Sequence, residues 1–293
     1  MSKLHMRKRL HSLKRFLTLK YFFWSLSSIV VIFILFIAVS IGSVALWVKA
    51  DPISAKLERE KENTKNNIVT DVTELYPVKV LGIVVPHSIE DIVREVKAHD
   101  HVSIGGGRNS MGGETASPRA VQLDMREYTK ILDFSTTTKE ITVQSGIRWR
   151  DIQDYIDPYD LSVKIMQTYS NFTVGGSLSV NVHGRYIGLG PIILSVKKFT
   201  IVLADGSVVT ASPSLHSDIF YSAIGGMGGI GVISDVTLSL ADNVNVERSQ
   251  IRLPTGTYWQ YFKDHVRSTF TLSASESVTS LITPMPPIPP IAL

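Results

Sequence analysis

The sequence predicts a domain of the α+β class that is preceded by one transmembrane helix. Three observations predict this arrangement. Residues 21–48 contain no charged side chain, residues 78–104 pass from a strand pattern to a helix pattern and back, and residues 121–240 contain short apolar stretches separated by glycine-rich runs. Apolar residues at every second position indicate a strand, and a spacing of three to four positions indicates a helix.

The N-terminal residues predict a membrane anchor. A helix over residues 21–48 would reach roughly 42 Å at about 1.5 Å per residue, which exceeds the ~30 Å hydrocarbon core of a bilayer. The alternatives are a buried core helix and a cleaved signal peptide, but signal peptides usually have a shorter apolar region of about 7 to 15 residues. Basic flanks stay on the cytoplasmic side. We therefore expect a basic cytoplasmic tail (1–20), a single span (21–48) and a soluble domain on the opposite side of the membrane.

Charge and cysteine content limit the role of the remaining chain. Residues 49–69 are rich in Lys and Glu and predict a charged, solvated helical linker. The net charge of +4 comes largely from the N-terminal tail, whose expected partner is membrane lipid and not nucleic acid. The chain has no cysteine, which excludes disulfides, a thiolate nucleophile and cysteine-ligated zinc or iron–sulfur sites.

The first ordered elements place a glycine-rich loop at the end of a strand. Residues 78–85 predict a strand, Ser88 caps a helix that reaches Val96, and residues 102–104 predict a strand that leads directly into residues 105–113. Open α/β units generally bind ligands at the carboxyl ends of their strands. Successive glycine amides can converge on a phosphate because no Cβ blocks the approach. We therefore expect residues 105–113, the glycine loop, to bind a diphosphate.

The rest of the domain predicts short strands and one helix. The helix spans residues 149–155, and Asp205-Gly206 predicts a hairpin turn. The predicted strands are residues 121–124, 130–134, 140–144, 197–203, 208–210 and 230–240.

The glycine-rich runs have three other interpretations. The glycine loop lacks the lysine that a Walker A loop needs. Residues 226–231 fit Gly-x-Gly-x-x-Gly, but residues 232–238 predict a strand where a Rossmann motif requires a helix. The third interpretation, that all the glycines only make tight turns, stays open from the residues alone.

Six stretches, in order and at similar spacing, resemble the FAD-binding domain of the vanillyl-alcohol oxidase family, also called the p-cresol methylhydroxylase type. They are residues 104–113, 123–125, 143–146, 173–185, 203–206 and 225–233. Within the family, the chain resembles decaprenylphosphoryl-ribose 2-oxidase and the aldonolactone oxidases. The resemblance covers residues 70–245 and implies two α+β subdomains with FAD lying extended between them.

The resemblance also implies which residues bind the cofactor. The glycine loop would wrap the FAD diphosphate, the segment that starts at Thr173 would line the dinucleotide and the isoalloxazine, and residues 229–233 would face the ribityl chain or the adenine. The implied cofactor-binding residues are Gly105, Gly106, Gly107, Arg108, Asn109, Ser110, Met111, Gly112, Gly113, Thr173, Val174, Gly175, Gly176, Ser177, Asn181, His183, Gly184, Gly229, Gly231 and Ile233. No metal site is expected.

Three positions carry more specific expectations. Asn109 stands where many members of the family carry a histidine that bonds covalently to the flavin, and an amide nitrogen is not a comparable nucleophile, so we expect noncovalent FAD. His183 matches the histidine of a His-Gly-Lys motif of the resembled enzyme, Arg185 stands where that motif has lysine, and both are the candidate catalytic residues. The alternatives for these two are a packed or surface histidine and a solvated surface charge.

The resemblance implies a reaction and a second domain. The reaction is oxidation of a hydroxyl group of a sugar-like or lactone substrate, with a hydride passing to flavin N5. In the family, a cap domain after the FAD domain holds much of the substrate pocket. Here residues 246–272 match only the start of a cap region, and residues 273–293 form a Ser/Thr/Pro-rich tail that we expect to be disordered. We therefore expect a truncated product without its cap domain.

Three hypotheses for the function remain from the sequence. The first is a membrane-anchored FAD-dependent oxidoreductase domain, whose expected partners are a sugar-like or lipid-linked substrate and a quinone or O₂ as electron acceptor. The second is a catalytically incomplete flavin-binding module. The third is a structural membrane protein whose glycines only form turns.

Overall fold

The computed structural model describes residues 33–40, 52–186, 188–244 and 251–267, and it divides the chain into two compact units at Asn63–Thr64. In the first unit, residues 33–40 are helical (α1) and their apolar side chains are mostly exposed. The unit boundary falls inside helix α2 (Pro52–Lys65), whose described side chains are also mostly exposed. This helix lies in the predicted charged linker.

The predicted membrane span lies mostly outside the described residues. Only residues 33–40 of the predicted 21–48 are described, and they are helical. Across the described ranges, no helix combines the length and the apolar character that crossing a bilayer requires. The tail at residues 1–20 and the C-terminal tail at residues 273–293 lie outside the described residues, and the anchor therefore stays a prediction.

The second unit contains mixed helices and strands, as the α+β prediction expects. Its helices are α3 (Ile89–Ala98), α4 (Trp149–Ile156), α5 (Val174–Ser179), α6 (Ser217–Ala223) and α7 (Thr255–Tyr261), with a π-helical turn at Phe262–Arg267. Its strands are β1 (Ile68–Val69), β2 (Val78–Lys79), β3 (Gly82–Val84), β4 (Val102–Gly105), β5 (Val121–Asp124), β6 (Ile131–Ser135), β7 (Glu140–Gln144), β8 (Leu161–Val163), β9 (Val196–Leu203), β10 (Val208–Ala211) and β11 (Gly231–Asp242).

The strands form a small parallel sheet and a larger antiparallel one. The small sheet has the order β3-β5-β4, with both outer strands parallel to β5. The large sheet has the order β10-β9-β11-β7-β6, and β8 pairs with the far end of β11. A two-stranded hairpin of β1 and β2 precedes the small sheet. The glycine loop therefore leaves the carboxyl end of β4, as the sequence predicts.

Two hydrophobic clusters hold these layers together. The larger cluster packs α4, α5 and α6 against the large sheet around the fully buried Trp149, Phe199 and Phe220. The smaller cluster joins Ile92 of α3 and Leu123 of β5 to Val202 and Val232 of the large sheet. Burying a large apolar side chain contributes roughly 1.5–3 kcal/mol, so the smaller cluster fixes the small sheet and the large sheet next to each other.

Helix α3 shows how local sequence determines these elements. Its N-cap Ser88 accepts from the Asp91 amide, and the Asp91 carboxylate accepts from the amides of Ser88 and His87. The hydrogen bond from the His87 amide, together with Arg94, lowers the pKa of Asp91 to about 2. This capping box is the helix start that the sequence predicts.

Two expectations need correction, namely that residues 78–85 form one strand and that each glycine-rich run ends a strand. Residues 78–85 do not form one strand, because the chain divides into β2, which pairs with β1, and β3, which pairs with β5. The glycine-rich runs do not all follow strands. Residues 174–179 form helix α5, and residues 225–230 form turns between α6 and β11.

Candidate cofactor site

A cleft lies where the small sheet, the large sheet and α5 meet. It is lined by the end of β4, the glycine loop, the first residues of α5 and the start of β11. The lining residues are Ile104, Gly106, Met125, Ser145, Thr173, Gly175, Gly176, Ser179, Ala223, Gly228, Ile230, Gly231 and Ile233. Of the residues implied to bind the cofactor, Gly106, Thr173, Gly175, Gly176, Gly231 and Ile233 line this cleft.

Thr173 connects the glycine loop to α5. Its Oγ1 accepts from the Gly107 amide at 3.3 Å and, as the N-cap of α5, from the Gly176 amide at 3.4 Å. The side chain is only 2% exposed. One hydroxyl group therefore fixes two glycine-rich segments that lie 66 residues apart in the chain, which brings their backbones to the same cleft.

Close packing at Gly106 explains why the loop needs a glycine there. A Cβ built on Gly106 would lie 2.4 Å from Thr173 Oγ1. Across the cleft, Gly228 has a φ of +77°, and its Cβ position faces Ile104. A side chain at either position would be strained or would fill the space between the walls.

A buried ion pair fixes the middle of the glycine loop. Arg108 has a φ of +53° and is 8% exposed, and its Nη2 donates to Asp124 Oδ2 at 2.9 Å. Arg126 donates to the same carboxylate through Nε at 2.8 Å and Nη2 at 2.6 Å. Burial alone raises the pKa of Asp124, but the Arg126 hydrogen bond and the Arg108 charge more than offset it, so the pKa is lowered. The implied cofactor residue Arg108 therefore directs its side chain into the protein.

Several other implied site residues do not line the cleft. Ser177 is buried, and its Oγ lies 2.9 Å from Trp149 Nε1 and 2.9 Å from Gln167 Oε1. Asn181 has a φ of +46° and accepts from the Ile193 amide at 3.3 Å. His183 and Arg185 are exposed. His183 Nδ1 lies 3.0 Å from the Gly184 carbonyl oxygen. The structure does not bring these two candidate catalytic residues into the cleft lining.

The remaining implied residues are outside the cleft lining as well. In the glycine loop, the Asn109 amide nitrogen donates to the Gly107 carbonyl at 3.1 Å. Met111 is 71% exposed. In the turns at residues 225–230, the Gly229 amide donates to the Gly226 carbonyl at 2.9 Å. The other implied residues that do not line the cleft are Gly105, Gly107, Ser110, Gly112, Gly113, Val174 and Gly184. Their roles stay predictions.

The sequence alone did not identify part of the site. It did not identify the lining residues Ile104, Met125, Ser145, Ser179, Ala223, Gly228 and Ile230. It also missed Thr115, whose buried Oγ1 has no hydrogen-bond partner among the described residues and lies 3.6 Å from a Cβ built on Gly105. A buried hydroxyl without a partner costs roughly 1–3 kcal/mol.

The chemistry of the cleft fits a flavin dinucleotide. By chemistry, the lining has two parts, which are glycine backbone with three hydroxyl side chains and the branched apolar side chains of Ile104, Ile230 and Ile233. Cofactor sites typically combine apolar walls with a few polar groups that fix orientation. A planar ring system and a phosphate-bearing chain match these two parts. No His, Asp, Glu, Lys, Arg or Tyr lines the cleft in the described portion of the chain.

Comparisons with known proteins find an FAD-binding domain in the same part of the chain. Residues 80–212 match the family model described as "FAD binding domain". Cytokinin dehydrogenase 1 of Arabidopsis thaliana is 30% identical over 186 residues, which are 60% of this chain and 32% of that protein. L-gulonolactone oxidase of Bos taurus is 27% identical over 169 residues, 56% of this chain and 38% of that protein.

A third relative extends the pattern. Putative D-arabinono-1,4-lactone oxidase of Neurospora crassa is 26% identical over 186 residues, 62% of this chain and 32% of that protein. The chain spans about a third of the length of these curated relatives. The names of the three relatives all describe oxidases or dehydrogenases, which is the enzyme class that the sequence predicts.

Proposed function

Because residues 80–212 form an FAD binding domain, as the sequence predicts, we propose that the chain is the flavin-binding part of a membrane-anchored oxidoreductase. FAD is the cofactor of this domain. The proposed substrate is a hydroxyl compound of the sugar or lactone type. The observation that carries the proposal is the cleft in which Thr173 joins the glycine loop to α5.

The proposed arrangement assigns each wall of the cleft to a part of the cofactor. The glycine loop binds the diphosphate, and its shape is kept by the ion pair between Arg108 and Asp124. The first turn of α5 and the start of β11, with Ile233, face the ring system and its ribityl chain. Bound FAD supplies a hydride acceptor at N5. The residues of the cleft bind this cofactor, orient it and exclude water from it.

We propose that the FAD is held without a covalent bond. Asn109 occupies the position of the histidine that forms the covalent link in many members of the family. Its side-chain amide nitrogen donates a hydrogen bond to the Gly107 carbonyl oxygen. Denaturing the protein in acid and pelleting it tests this proposal. Yellow colour in the supernatant supports it, and flavin retained in the pellet contradicts it.

A second candidate function is a flavin-binding module that lacks part of its catalytic machinery. A hydroxyl group that loses a hydride must also lose a proton to a base. The described cleft lining contains no titratable side chain. His183, which we propose as a contact of the flavin or substrate, is exposed. In this second function, another domain or protein supplies the base and the substrate pocket.

The location of the enzyme and the remaining partners are also proposals. The charge-free residues 21–48 support a single span with a cytoplasmic N-terminus and the FAD domain on the other side. Such an anchor places the cleft near lipid, which favours a lipid-linked substrate and a quinone, with O₂ as the other acceptor. Protease protection in oriented vesicles tests the topology, and digestion from the cytoplasmic face alone would reverse it.

Absorption between 350 and 500 nm tests the function most directly. The full-length chain, purified in mild detergent, is expected to show the flavin bands. The variant Gly106→Val should lose them, because its side chain would collide with Thr173. Anaerobic bleaching of the bands by aldonolactones would support the proposed oxidoreductase, and bleaching by cytokinins alone would support an oxidoreductase with another substrate class. Flavin that binds but is bleached by no substrate of either class would favour the incomplete module. A colourless protein that does not take up added FAD would contradict both.

A further inference from the structure

A turn outside the cleft is attached to the last residue of the glycine loop. Asp71 lies between β1 and β2 and is 4% exposed. Its Oδ1 accepts from the Thr73 amide at 2.9 Å, from the Thr73 hydroxyl at 2.6 Å and from the Glu74 amide at 3.2 Å. Its Oδ2 accepts from the Gly113 amide at 3.0 Å. Residues 71–74, the Asp71 turn, are thus bonded to a loop 42 residues further along the chain.

The contact fixes a point of the loop whose backbone conformation only glycine adopts readily. Gly113 has a φ of +85°, and the Tyr76 side chain lies 3.3 Å from its Cβ position. The hydrogen bond from the Thr73 hydroxyl has the largest effect and lowers the pKa of Asp71, whereas burial raises it. The hydrogen bonds from the amides of Gly113, Thr73 and Glu74 lower it further, so the pKa of Asp71 is lowered overall. The carboxylate is therefore charged at neutral pH, and hydrogen bonds to charged groups are among the strong ones.

We propose that Asp71 is a positioning residue for the cofactor, which sets the conformation of the glycine loop through the Gly113 amide. Three anchors then determine the loop: Thr173 at Gly107, Asp124 at Arg108 and Asp71 at Gly113. This inference rests on the proposed binding of the FAD diphosphate by the glycine loop. Asp71 itself does not line the cleft, so it acts on FAD only through the loop.

The variant Asp71→Asn separates this role from general stability. Asparagine keeps one side-chain oxygen, and this oxygen can still accept from the three donors of Thr73 and Glu74 within the turn. Its amide nitrogen then faces the Gly113 amide, which places a donor against a donor. Thr73→Val is the matched control, because it removes the hydroxyl bond within the turn and leaves the contact between Asp71 and Gly113 in place.

Asp205→Asn provides a second control in a turn of the same kind. Asp205 Oδ1 accepts from the Ser207 amide at 2.8 Å and from the Ser207 hydroxyl at 2.6 Å, in the exposed hairpin between β9 and β10. For each full-length variant, FAD affinity is measured by flavin fluorescence, melting temperature is measured without FAD, and the exchange rate of the Gly113 amide is measured by hydrogen exchange.

We expect Asp71→Asn to weaken FAD binding about tenfold, the loss typical of one hydrogen bond to a charged group, and to speed exchange at Gly113. Thr73→Val and Asp205→Asn should keep wild-type FAD affinity. Equal FAD affinities of Asp71→Asn and Thr73→Val would overturn the inference. A wild-type protein that binds no FAD would instead contradict the proposed function. In that case the hydrogen-exchange rate of the Gly113 amide would still test the contact with Asp71, because an unchanged rate in Asp71→Asn would reject it.

Discussion

Thr173→Val tests whether one hydroxyl group holds the cleft together. Valine has nearly the same shape, so packing is kept while the acceptor for the Gly107 and Gly176 amides is removed. Losing an N-cap costs about 1 kcal/mol, and losing the second hydrogen bond costs about 1 kcal/mol. The expected loss in the free energy of unfolding is therefore about 2 kcal/mol. The matched variant Thr173→Ser keeps the hydroxyl and should lose less.

Urea unfolding of the full-length chain, in mild detergent and without FAD, measures this loss. With a denaturant slope of about 2 kcal/mol/M, the midpoint of Thr173→Val should fall by about 1 M. FAD binds only the folded protein, so its stabilising effect should also shrink in Thr173→Val as affinity falls. Identical midpoints for Thr173→Val and Thr173→Ser would refute the reasoning, because the hydroxyl would then contribute nothing that its methyl group does not.

Three further variants test separate features. Thr115→Val removes a buried hydroxyl that has no hydrogen-bond partner among the described residues. The FAD-free variant should therefore melt about 2–4 °C higher than the wild type. The control Thr142→Val breaks a 2.9 Å hydrogen bond between two hydroxyl groups and should melt lower. Gly231→Ala places a Cβ 2.4 Å from the Val202 carbonyl oxygen and should lower the melting temperature and flavin content, whereas Gly82→Ala, where the Cβ meets open space, should not. The folded pKa of Asp91, about 2, lies below its unfolded value, so its contribution is present above about pH 4 and is lost as the pH falls towards 2. The difference in melting temperature between wild type and Asp91→Asn should therefore shrink between pH 5 and pH 2, and a constant difference would contradict the capping assignment.

The fold could be predicted from the sequence where local signals were strong. Helix α3 has a capping box and apolar residues at helical spacing, and the hairpin of β9 and β10 has a Gly206 with a φ of +78° at its turn. The division of residues 78–85 into β2 and β3 could not be predicted. It depends on two different partner strands, β1 and β5, and strand pairing is set by distant residues.

The candidate site shows the same limit. The glycine loop was recognisable because glycine runs after a strand have a direct physical use. The function of Thr173 as a link was not recognisable, since its partner Gly107 lies 66 residues away. Ser177 was expected to face the cofactor, but its helix turns it towards Trp149 in the core. A local pattern identifies which segments form a site, and the tertiary packing decides which side of each segment faces the ligand.

Strand β11 gives the two flanks of the cleft unequal stiffness. It runs for 12 residues, and its first residue already pairs with Leu203 of β9, so displacing Gly231 requires breaking a continuous ladder. The opposite flank, residues 105–113, is held instead by separate side-chain hydrogen bonds at Gly107, Arg108 and Gly113. Partial openings of a protein are drawn from such weakly tethered regions, so we expect residues 105–113 to open locally more readily than the start of β11.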